Sequence, residues 1–565
     1  MNDSETTSRR DAGNPVTLAV EQAIRAAARF GNRLIAGSTA SIDIGDPEAC
    51  AHLTSALRRM GARIRPAGAD ADFVFVERLA EVHDDAAEQS RKPGGGLPAL
   101  VVGLDGRARS LRGGGAESRI AWAAAGMPVT AMLAEQFGTE VARSGARVGV
   151  SLVLEPKTAA FARLLADAGC SVAVFSAVSE TDPEIAVELA RDERIEVFAP
   201  HSAVQGQSAA AVDAEHAAAI LDWGPEYLVD DGAHLIRLAH TERTAALSRL
   251  RGAAEETTSG VRPVREMAAI GDLRIPVIAV NDARTKTDFD NLIGTGQSCV
   301  FAIADVLDGA RTVRPYAGIA GSRWAVVGYG PVGRGVARFA AALGAEVVVV
   351  ERDPVRALAA LHDGHEAASR ESALPGADVV VSATGVWHTL DTHAMSMLRD
   401  GAVAAVAGGI DDEIALDDLR AAGWTEQTVA PSVTSWRPPA SNRSREVLVL
   451  AGGGGINYTA GEGNPIEVMD LSFATQVAAL ARLVETAPRP GVHQLSEADE
   501  RRVANAALAA RAGGVDPAPA SSRAGGAAQP WRVHRYRERA QAIDPAHDRA
   551  ADPAADPASE TTETL

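Results

Sequence analysis

Apolar residues follow two alternating spacings along most of the chain. They form short continuous runs of strand length, or longer stretches in which they recur every three or four residues. From Ser118 onward these spacings predict, in order, a helix at 118–132, a strand at 147–154, a helix at 157–168, a strand at 171–175, a helix at 183–191, a strand at 195–198, strands at 379–383, 402–407 and 447–450, and a helix at 469–484. Strands that alternate with helices are typical of parallel sheets covered by helices. We therefore predict an α/β protein with two doubly wound parallel-sheet domains.

The clearest local pattern lies at residues 324–353, which read WAVVGYGPVGRGVARFAAALGAEVVVVERD. They predict a strand, a tight turn with Gly328, Gly330 and Gly333, a helix, and a second strand that ends at Glu351. In a dinucleotide-binding unit the first glycine permits the turn, the second lets the backbone approach a pyrophosphate, and the third lets helix and strand pack closely. A carboxylate at Glu351 would bind the adenosine ribose and repel a 2'-phosphate, so NAD is predicted rather than NADP. A doubly wound domain without a dinucleotide is the alternative.

The two ends of the chain show weaker patterns. Residues 1–15 are polar and predicted to be disordered, and the next hundred predict helices at 16–30 and 47–60 and strands at 72–76 and 97–102. A helix predicted at 497–511 precedes a flexible tail rich in Gly, Pro, Ala and Asp. We therefore predict an N-terminal α/β extension (1–117), a substrate domain (118–297, completed by 466–487), a Rossmann NAD domain (298–465), and a C-terminal helix with a flexible tail (488–565).

The composition limits the function classes. The chain has 565 residues and a formal net charge of −19, which opposes attraction to nucleic acids and anionic membranes and leaves small molecules as the expected partners. Cys50, Cys170 and Cys299 are isolated, so neither a disulfide framework nor a metal site is predicted. The polar N-terminus lacks the apolar core of a signal peptide, and no run of about 18 apolar residues occurs, so a soluble cytoplasmic protein is expected.

Three motifs precede the glycine turn: LVDDGAHLIRLAH (228–240), GAAEETTSGV (252–261) and VNDARTKTDFDNLIGTG (280–296). Together with GYGPVGRG (328–335) they resemble the S-adenosylhomocysteine hydrolase family in order, spacing and identity over about 118–510. The resemblance implies a tightly held NAD and a small nucleoside substrate. It implies that the 3' hydroxyl is oxidised, the 5' substituent is eliminated, water is added and the ketone is reduced again. It also implies a homo-oligomer.

The resemblance further implies roles for particular residues. Glu256 matches a glutamate that binds the ribose hydroxyls, and Lys286 with Asp290 matches a pair at the site of hydride removal. Asp231 matches an aspartate beside the 4' and 5' carbons. A lysine enclosed near a carboxylate can have its pKa tuned to take a proton from the hydroxyl. Contacts with NAD are implied for Thr257, Thr258, Ser259, Asn291 and Asn457.

The chain departs from the family where the base and the 5' leaving group are held. The family reads H-M-T-V-E-T where this chain reads VLEPKT, so its histidine, threonine and glutamate are replaced by Val153, Glu155 and Lys157. Two further family histidines are matched by Gly409 and Asn464, and a family cysteine is matched by Thr295. The family's C-terminal tail is matched only by the faintly similar PWRVHRYR (530–537). Loss of the leaving-group histidine removes a general acid, which is usually worth about 10²-fold or more, and predicts a shifted substrate.

Glu155 and His234 are candidates to replace the lost groups. Glu155 lies two residues after Val153 and would share its side if the strand continued, and His234 lies three residues after Asp231. Either could act on a hydroxyl or water at the 5' carbon. Alternatively, Glu155 recognises an altered base and His234 is a structural residue. Both residues, with Lys157, are therefore candidate substrate-binding residues.

Three functions fit these residues. The leading hypothesis is an NAD-dependent relative of the family that oxidises a nucleoside at the 3' position and eliminates or adds a group at the 5' carbon, as in dehydration of a 5'-hydroxyl nucleoside. The second is a genuine S-adenosylhomocysteine hydrolase. The third is a non-catalytic NAD-binding regulator, although a mere binder would not need Glu256, Lys286, Asp290 and Asp231.

Overall fold

The computed structural model describes residues 13–79, 97–109, 112–141, 145–202, 208–408, 412–439, 445–511 and 513–515. Gly409 and residues 530–537 lie outside these ranges. The strands are β1 Thr39–Asp43, β2 Arg63–Arg65, β3 Phe73–Val76, β4 Leu100–Gly103, β5 Ala108–Arg109, β6 Arg147–Ser151, β7 Ser171–Phe175, β8 Ile195–Phe198, β9 Tyr227–Asp230, β10 Gly252–Glu255, β11 Pro276–Ala279, β12 Arg323–Val327, β13 Glu346–Val350, β14 Glu366–Ala367, β15 Val379–Ser382, β16 Ala402–Val406, β17 Thr425–Ala430, β18 Val433–Arg437, β19 Val447–Leu450 and β20 Gly491–His493.

Helices connect most of the strands. Among the described residues, no helix is long and apolar enough to cross a bilayer. The α-helices of at least six residues are Pro15–Gly31, Pro47–Met60, Ala116–Ala125, Pro128–Val141, Pro156–Asp167, Pro183–Leu189, Ala209–Trp223, His234–Thr241, Thr258–Ala269, Thr295–Gly309, Pro331–Ala342, Pro354–His362, Thr392–Met397, Leu416–Ala421, Ile466–Thr486 and Glu497–Ala510.

Two large sheets confirm the predicted fold class. The seven-stranded sheet has the order β20-β11-β10-β9-β6-β7-β8 and is parallel throughout. The eight-stranded sheet has the order β14-β13-β12-β15-β16-β19-β18-β17, and only β18 and β17 run antiparallel to their neighbours. In each sheet the strand order reverses beside the first strand, β6 or β12. Such switch points are where doubly wound sheets bind ligands.

The N-terminal region forms a third sheet, in the order β2-β1-β3-β4-β5. Its helix Pro15–Gly31 buries Ile24 in one continuous core with Ile303 and Phe339, which belong to helices that pack on the eight-stranded sheet. Arg25, only 2% exposed, forms ion pairs with Asp305 and, at 2.9 Å, with Asp308 on one of those helices. The extension therefore packs as part of the main body.

Two predicted elements differ from the structure near residue 128 and residue 154. The helix predicted at 118–132 is two helices, because Pro128 begins the second one, where its missing N–H is not needed. The strand predicted at 147–154 ends at Ser151, and Pro156 begins the next helix. The condition under which Glu155 would share the side of Val153 is therefore not met: Glu155 is the N-cap of that helix and accepts from the backbone N–H of Thr158.

Candidate active site between the two large sheets

A cavity of about 780 Å³ lies between the carboxyl ends of strands from the two large sheets. Residues after β6, β9 and β10 line one wall, and residues after β12, β13 and β15 line the other. Gly333 and His234 are not part of its lining. The predicted site residues that do line it are Asp231, Glu256, Lys286, Asp290, Thr257, Thr258, Ser259, Asn291, Gly328, Gly330, Glu351, Asn457, Glu155 and Lys157.

Lys286 is the centre of a buried charged cluster. Its Nζ lies 3.0 Å from Asp290 Oδ2 and 3.5 Å from Glu256 Oε1, and it donates a hydrogen bond of 2.6 Å to Asn291 Oδ1. Burial opposes the ammonium charge, but the carboxylates of Asp290 and Glu256 outweigh it and raise the pKa of Lys286 above its usual value. In the protein alone, Lys286 is therefore a cation held by two carboxylates and by Asn291.

Glu256 is held by the helix Ile466–Thr486. Ser472 Oγ and Gln476 Nε2 each donate a hydrogen bond to one of its carboxylate oxygens. Burial raises the pKa of Glu256, and the charge of Lys286 only partly opposes this shift. Each carboxylate oxygen has two acceptor sites, so Glu256 can still accept hydrogen bonds from ligand hydroxyls.

Two adjacent aspartates at the end of β9 have separate surroundings. Asp230 accepts a 2.8 Å hydrogen bond from the backbone N–H of Ile236 and so ties the strand to the helix that follows. Asp231 lines the cavity, and within the described part of the chain its buried Oδ1 has no hydrogen-bond partner. Burial raises the pKa of Asp231 to about 6, against the opposing charge of Lys286. A carboxyl group with such a pKa is suited to proton transfer near neutral pH.

A π-helical segment, Thr287–Gly294, carries Asp290 and Asn291 into the cavity wall. Short π-helical turns are frequent at functional sites because they displace side chains from regular helical positions. Asn291 Nδ2 and Thr258 Oγ1 both donate to Asn281 Oδ1, at 2.9 and 3.1 Å. These bonds join the segment to the start of the helix Thr258–Ala269.

Thr257 is the N-cap of that helix. Its Oγ1 accepts from the backbone N–H of Gly232 at 2.9 Å and from Ser259 Oγ at 3.2 Å. The polar ends of β9 and β10 are thereby held together beside the cavity.

The glycine turn has the geometry needed to hold a pyrophosphate. Gly328 has φ +94°, and a Cβ on Gly333 would lie 1.9 Å from the carbonyl oxygen of Gly328. A Cβ on Gly330 would instead meet only Arg356 Nη1, at 3.8 Å, so space remains beside its backbone. Glu351 Oε2 accepts a 2.7 Å hydrogen bond from the backbone N–H of Tyr329, which fixes the carboxylate at the cavity wall. This turn fits the pyrophosphate and ribose of NAD.

Two asparagines complete the side of the cavity near Asp290. Asn457 Oδ1 is buried and, among the described residues, lacks a hydrogen-bond partner, so it could accept from the carboxamide N–H₂ of a nicotinamide. Asn464 Nδ2 donates to Asp290 Oδ1 at 2.6 Å and to Thr295 Oγ1 at 2.9 Å. Asn464 and Thr295 are thus hydrogen-bonded to each other.

Lys157 lines the cavity opposite the glycine turn and is 3% exposed. Its Nζ donates to Glu155 Oε2 at 2.7 Å and to the carbonyl oxygen of Glu462 at 2.8 Å. An ammonium group has three donors, so one remains for a ligand. Val153 lines the same wall.

His234 lies at a second cavity of about 310 Å³, which shares Leu152 and Asp231 with the first. Its side chain is exposed. Glu180 and Asp213 line this second cavity, and burial together with the charges of Asp231 and Asp213 raises the pKa of Glu180 to about 8. Within the described ranges, no group of three or more His, Cys, Asp or Glu could hold a metal ion.

Several supporting residues were not predicted from the sequence. Ser472 and Gln476 come from a distant segment with no motif of its own, and Asn281 lies in the motif 280–296 but received no role there. One sequence signal could have marked the lysines. Only Lys92, Lys157 and Lys286 among the 55 basic residues are lysines, and two of these three line the cavity. Where arginine serves almost everywhere else, a retained lysine indicates a need for a compact, titratable amine.

Comparisons with known proteins agree with this geometry. Residues 298–463 match the family model of the S-adenosyl-L-homocysteine hydrolase NAD-binding domain. The chain is 36% identical over 394 residues to an adenosylhomocysteinase of Thermotoga maritima, an alignment that covers 69% of this chain and 94% of that protein. It is 38% identical over 376 residues to an S-inosyl-L-homocysteine hydrolase of Methanosarcina mazei, with 66% of this chain and 87% of that protein covered.

The fold and the glycine turn define an NAD-binding protein of the α/β class with two large sheets. The similarity to these relatives is more specific, because it extends over nearly their whole length. The chain belongs to the adenosylhomocysteinase family of NAD-dependent hydrolases.

Glu351→Ala should weaken NAD binding by about 10- to 100-fold, because a hydrogen bond to a charged group is worth roughly 1.5–3 kcal/mol. The measurement is the amount of NAD released per subunit on denaturation after dialysis. Glu346→Ala, at the exposed opposite end of the same strand, is the matched control and should retain NAD. Equal NAD content in the two variants would contradict a role of Glu351 in cofactor binding.

Proposed function

We propose that this chain oxidises a nucleoside at the 3' hydroxyl and replaces its 5' substituent by elimination and addition of water. The observation that carries the proposal is the buried cluster of Lys286, Glu256 and Asp290, which lines the same cavity as the glycine turn. Bound NAD supplies the hydride acceptor for such an oxidation and the hydride for its reversal. A protein that only binds NAD has no use for an enclosed lysine with two carboxylates.

The cluster can bind the ribose and move its hydroxyl proton. Glu256 is fixed by Ser472 and Gln476 and keeps acceptor capacity for hydroxyl groups. Lys286 can accept the hydroxyl proton once it has passed its own to a neighbouring carboxylate. Glu256, whose pKa is raised by burial, is suited to hold that proton.

The next step concerns the 4' and 5' carbons. A ketone at the 3' carbon acidifies the 4' hydrogen, and Asp231 is the carboxylate that we assign to its removal. Val153 offers no proton to a leaving group. A thiolate leaves without acid assistance far more readily than hydroxide, since a cysteine-like thiol has a pKa of about 8.5 and water one of about 15.7. A 5'-thioether is therefore the substrate that the wall at Val153 favours.

Lys157 favours a base that carries a carbonyl group. The family glutamate at this position is a hydrogen-bond acceptor, which suits the amino group of adenine. Lys157 is a donor and suits the 6-oxygen of hypoxanthine. The S-inosyl-L-homocysteine hydrolase among the relatives acts on a nucleoside of that kind by its name. We therefore propose hydrolysis of a 6-oxopurine nucleosidyl thioether.

Lys157→Met should raise the KM for S-inosyl-L-homocysteine by about 10- to 100-fold, the range of a hydrogen bond to a charged group. The KM for S-adenosyl-L-homocysteine should stay the same or fall. Arg163→Met, on the same helix but paired with Glu117, is the control and should change neither. An equal rise for both substrates would contradict recognition of the base by Lys157.

A second candidate is dehydration of a 5'-hydroxyl nucleoside. The second cavity favours it, because Asp213 would repel the carboxylate of a homocysteine tail, and among the described residues no lysine or arginine lines that cavity. A nucleoside without a 5' substituent would not have to enter it.

The test is to add S-inosyl-L-homocysteine, S-adenosyl-L-homocysteine, inosine and adenosine in turn to the purified protein, and to follow NADH absorbance and the products. NADH formation with free thiol from the inosyl thioether supports the first proposal. NADH formation with a 4',5'-unsaturated product from inosine supports the second. Bound NAD that none of the four reduces would overturn both.

A further inference from the structure

Two chain connections join the large sheets. The first runs from β11 through the π-helical segment Thr287–Gly294 into the helix Thr295–Gly309, and the second runs from β19 through residues 451–465 into the helix Ile466–Thr486. A change in the spacing of the cavity walls must bend both connections, as in hinge motions of other two-domain proteins. Groups that hold both connections at once therefore control that spacing.

Residues 32–35, the clamp segment, follow the first helix of the N-terminal extension and contact the first connection through Gln297. Gln297 Oε1 accepts from the backbone N–H of Ile35 at 2.8 Å, and its Nε2 donates to the carbonyl oxygen of Arg33 at 3.0 Å. Gln297 is 1% exposed. These two buried bonds tie the clamp segment to the first turn of the helix Thr295–Gly309.

The clamp segment also holds the second connection. The backbone N–H of Ile466 donates to the carbonyl oxygen of Asn32 at 2.9 Å, and Asn32 Nδ2 donates to the carbonyl oxygen of Glu462 at 3.0 Å. The backbone N–H of Leu34 donates to Glu467 Oε2 at 2.9 Å. Asn32 has φ 48°, a left-handed conformation that asparagine tolerates better than most residues.

From Glu462 the contacts lead into the candidate active site. Its carbonyl oxygen accepts from both Asn32 and Lys157, and its carboxylate pairs with Arg112 at 2.5 Å. Two residues further along, Asn464 donates to Asp290. A shift of Glu462 would therefore move Lys157, at the base side of the cavity, together with Asn464, which contacts the charged cluster.

We propose that Asn32 is a positioning residue of the active site and that the clamp segment fixes both connections. The N-terminal extension then sets the placement of residues 456–464, and with it the placement of Lys157 and Asn464. The effect on catalysis rests on the proposed function, whereas the effect on residues 456–464 does not.

The experiment compares the full-length protein with Asn32→Gly and Asn32→Asp. Glycine accepts the left-handed backbone but lacks the side-chain donor, and aspartate keeps the shape but cannot donate to the carbonyl of Glu462. Hydrogen exchange of the amides in residues 456–464 is measured first, and the rate of NADH formation with the preferred nucleoside second. Arg107→Ala, whose side chain is 82% exposed in the same extension, is the control.

We expect both Asn32 variants to exchange at least tenfold faster in residues 456–464 and to form NADH about tenfold more slowly, with unchanged melting temperature. Arg107→Ala should match the wild type in every readout. Exchange within twofold of the wild type, or faster exchange with an unchanged rate of NADH formation, would overturn the proposal. If the wild type forms no NADH with any nucleoside, the proposed function fails, and the exchange experiment alone decides the role of Asn32.

Discussion

Lys286→Met should abolish the NADH signal that a nucleoside produces, with a loss of at least about 10³-fold in the rate of hydride transfer. Positioned acid–base groups contribute about 10² to 10⁴ in rate, and the variant also leaves two buried carboxylates without their cation. The measurement is the single-turnover rate of NADH formation after mixing with saturating nucleoside. The NAD content of each preparation shows that the cofactor site is intact.

Lys286→Arg separates the charge of the lysine from its proton transfer. Arginine keeps the cation between Glu256 and Asp290, but it does not give up a proton in proteins. The variant should fold and retain NAD, yet form NADH as slowly as Lys286→Met. NADH formation near the wild-type rate in either variant would contradict the role that we assign to Lys286.

Asp231→Asn should leave NADH formation nearly intact and stop the chemistry that follows it. Asparagine has the size of aspartate but cannot take the 4' hydrogen as a proton, so the 3' ketone should form and persist. The measurement is loss of deuterium from a 4'-deuterated nucleoside, followed by mass spectrometry. We expect the rate of exchange to fall at least 10²-fold, and the rate at which free thiol is released to fall in parallel.

The pH dependence provides an independent check on Asp231. Burial raises its pKa to about 6, and only the ionised form can accept the 4' hydrogen. The rate of exchange in the wild type should therefore fall about tenfold per pH unit below pH 6 and level off above it. Asp231→Asn should lose this dependence, and a pH profile that is unchanged in the variant would assign the titration to another group.

Together, the two variants divide the proposed reaction into its redox half and its elimination half. A protein that loses NADH formation with Lys286→Met and only deuterium exchange with Asp231→Asn performs both halves. A regulator that merely binds NAD would show neither effect.

The secondary structure of the two large sheets could be predicted from local pattern. Apolar runs such as 447–450 and 171–175 match β19 and β7 at both ends, because strands buried on both faces need continuous apolar sequence. The glycine turn was equally readable, because Gly328 and Gly333 are positions where only glycine fits. The segments around residues 128 and 154 were misjudged because prolines there begin new helices.

The candidate site could be predicted only in part from the sequence. Motifs near Asp231, Glu256 and Lys286 marked the acidic and basic groups, but not the helix residues that hold Glu256 in place. Glu155 would have shared the side of Val153 only if the strand continued, but the strand ends at Ser151 and Glu155 is a helix N-cap paired with Lys157.

By itself, the sequence determined the class of fold, the dinucleotide turn and the residues able to carry the chemistry, because these depend on local spacing and on residue type. Only the tertiary structure decided that Lys286 lies between two carboxylates, that Asn464 joins Asp290 to Thr295, and that the N-terminal extension clamps both connections between the sheets. Those contacts join residues up to several hundred positions apart. They arise from packing and from the need of buried polar groups for hydrogen-bond partners, and neither cause produces a periodic pattern in the sequence.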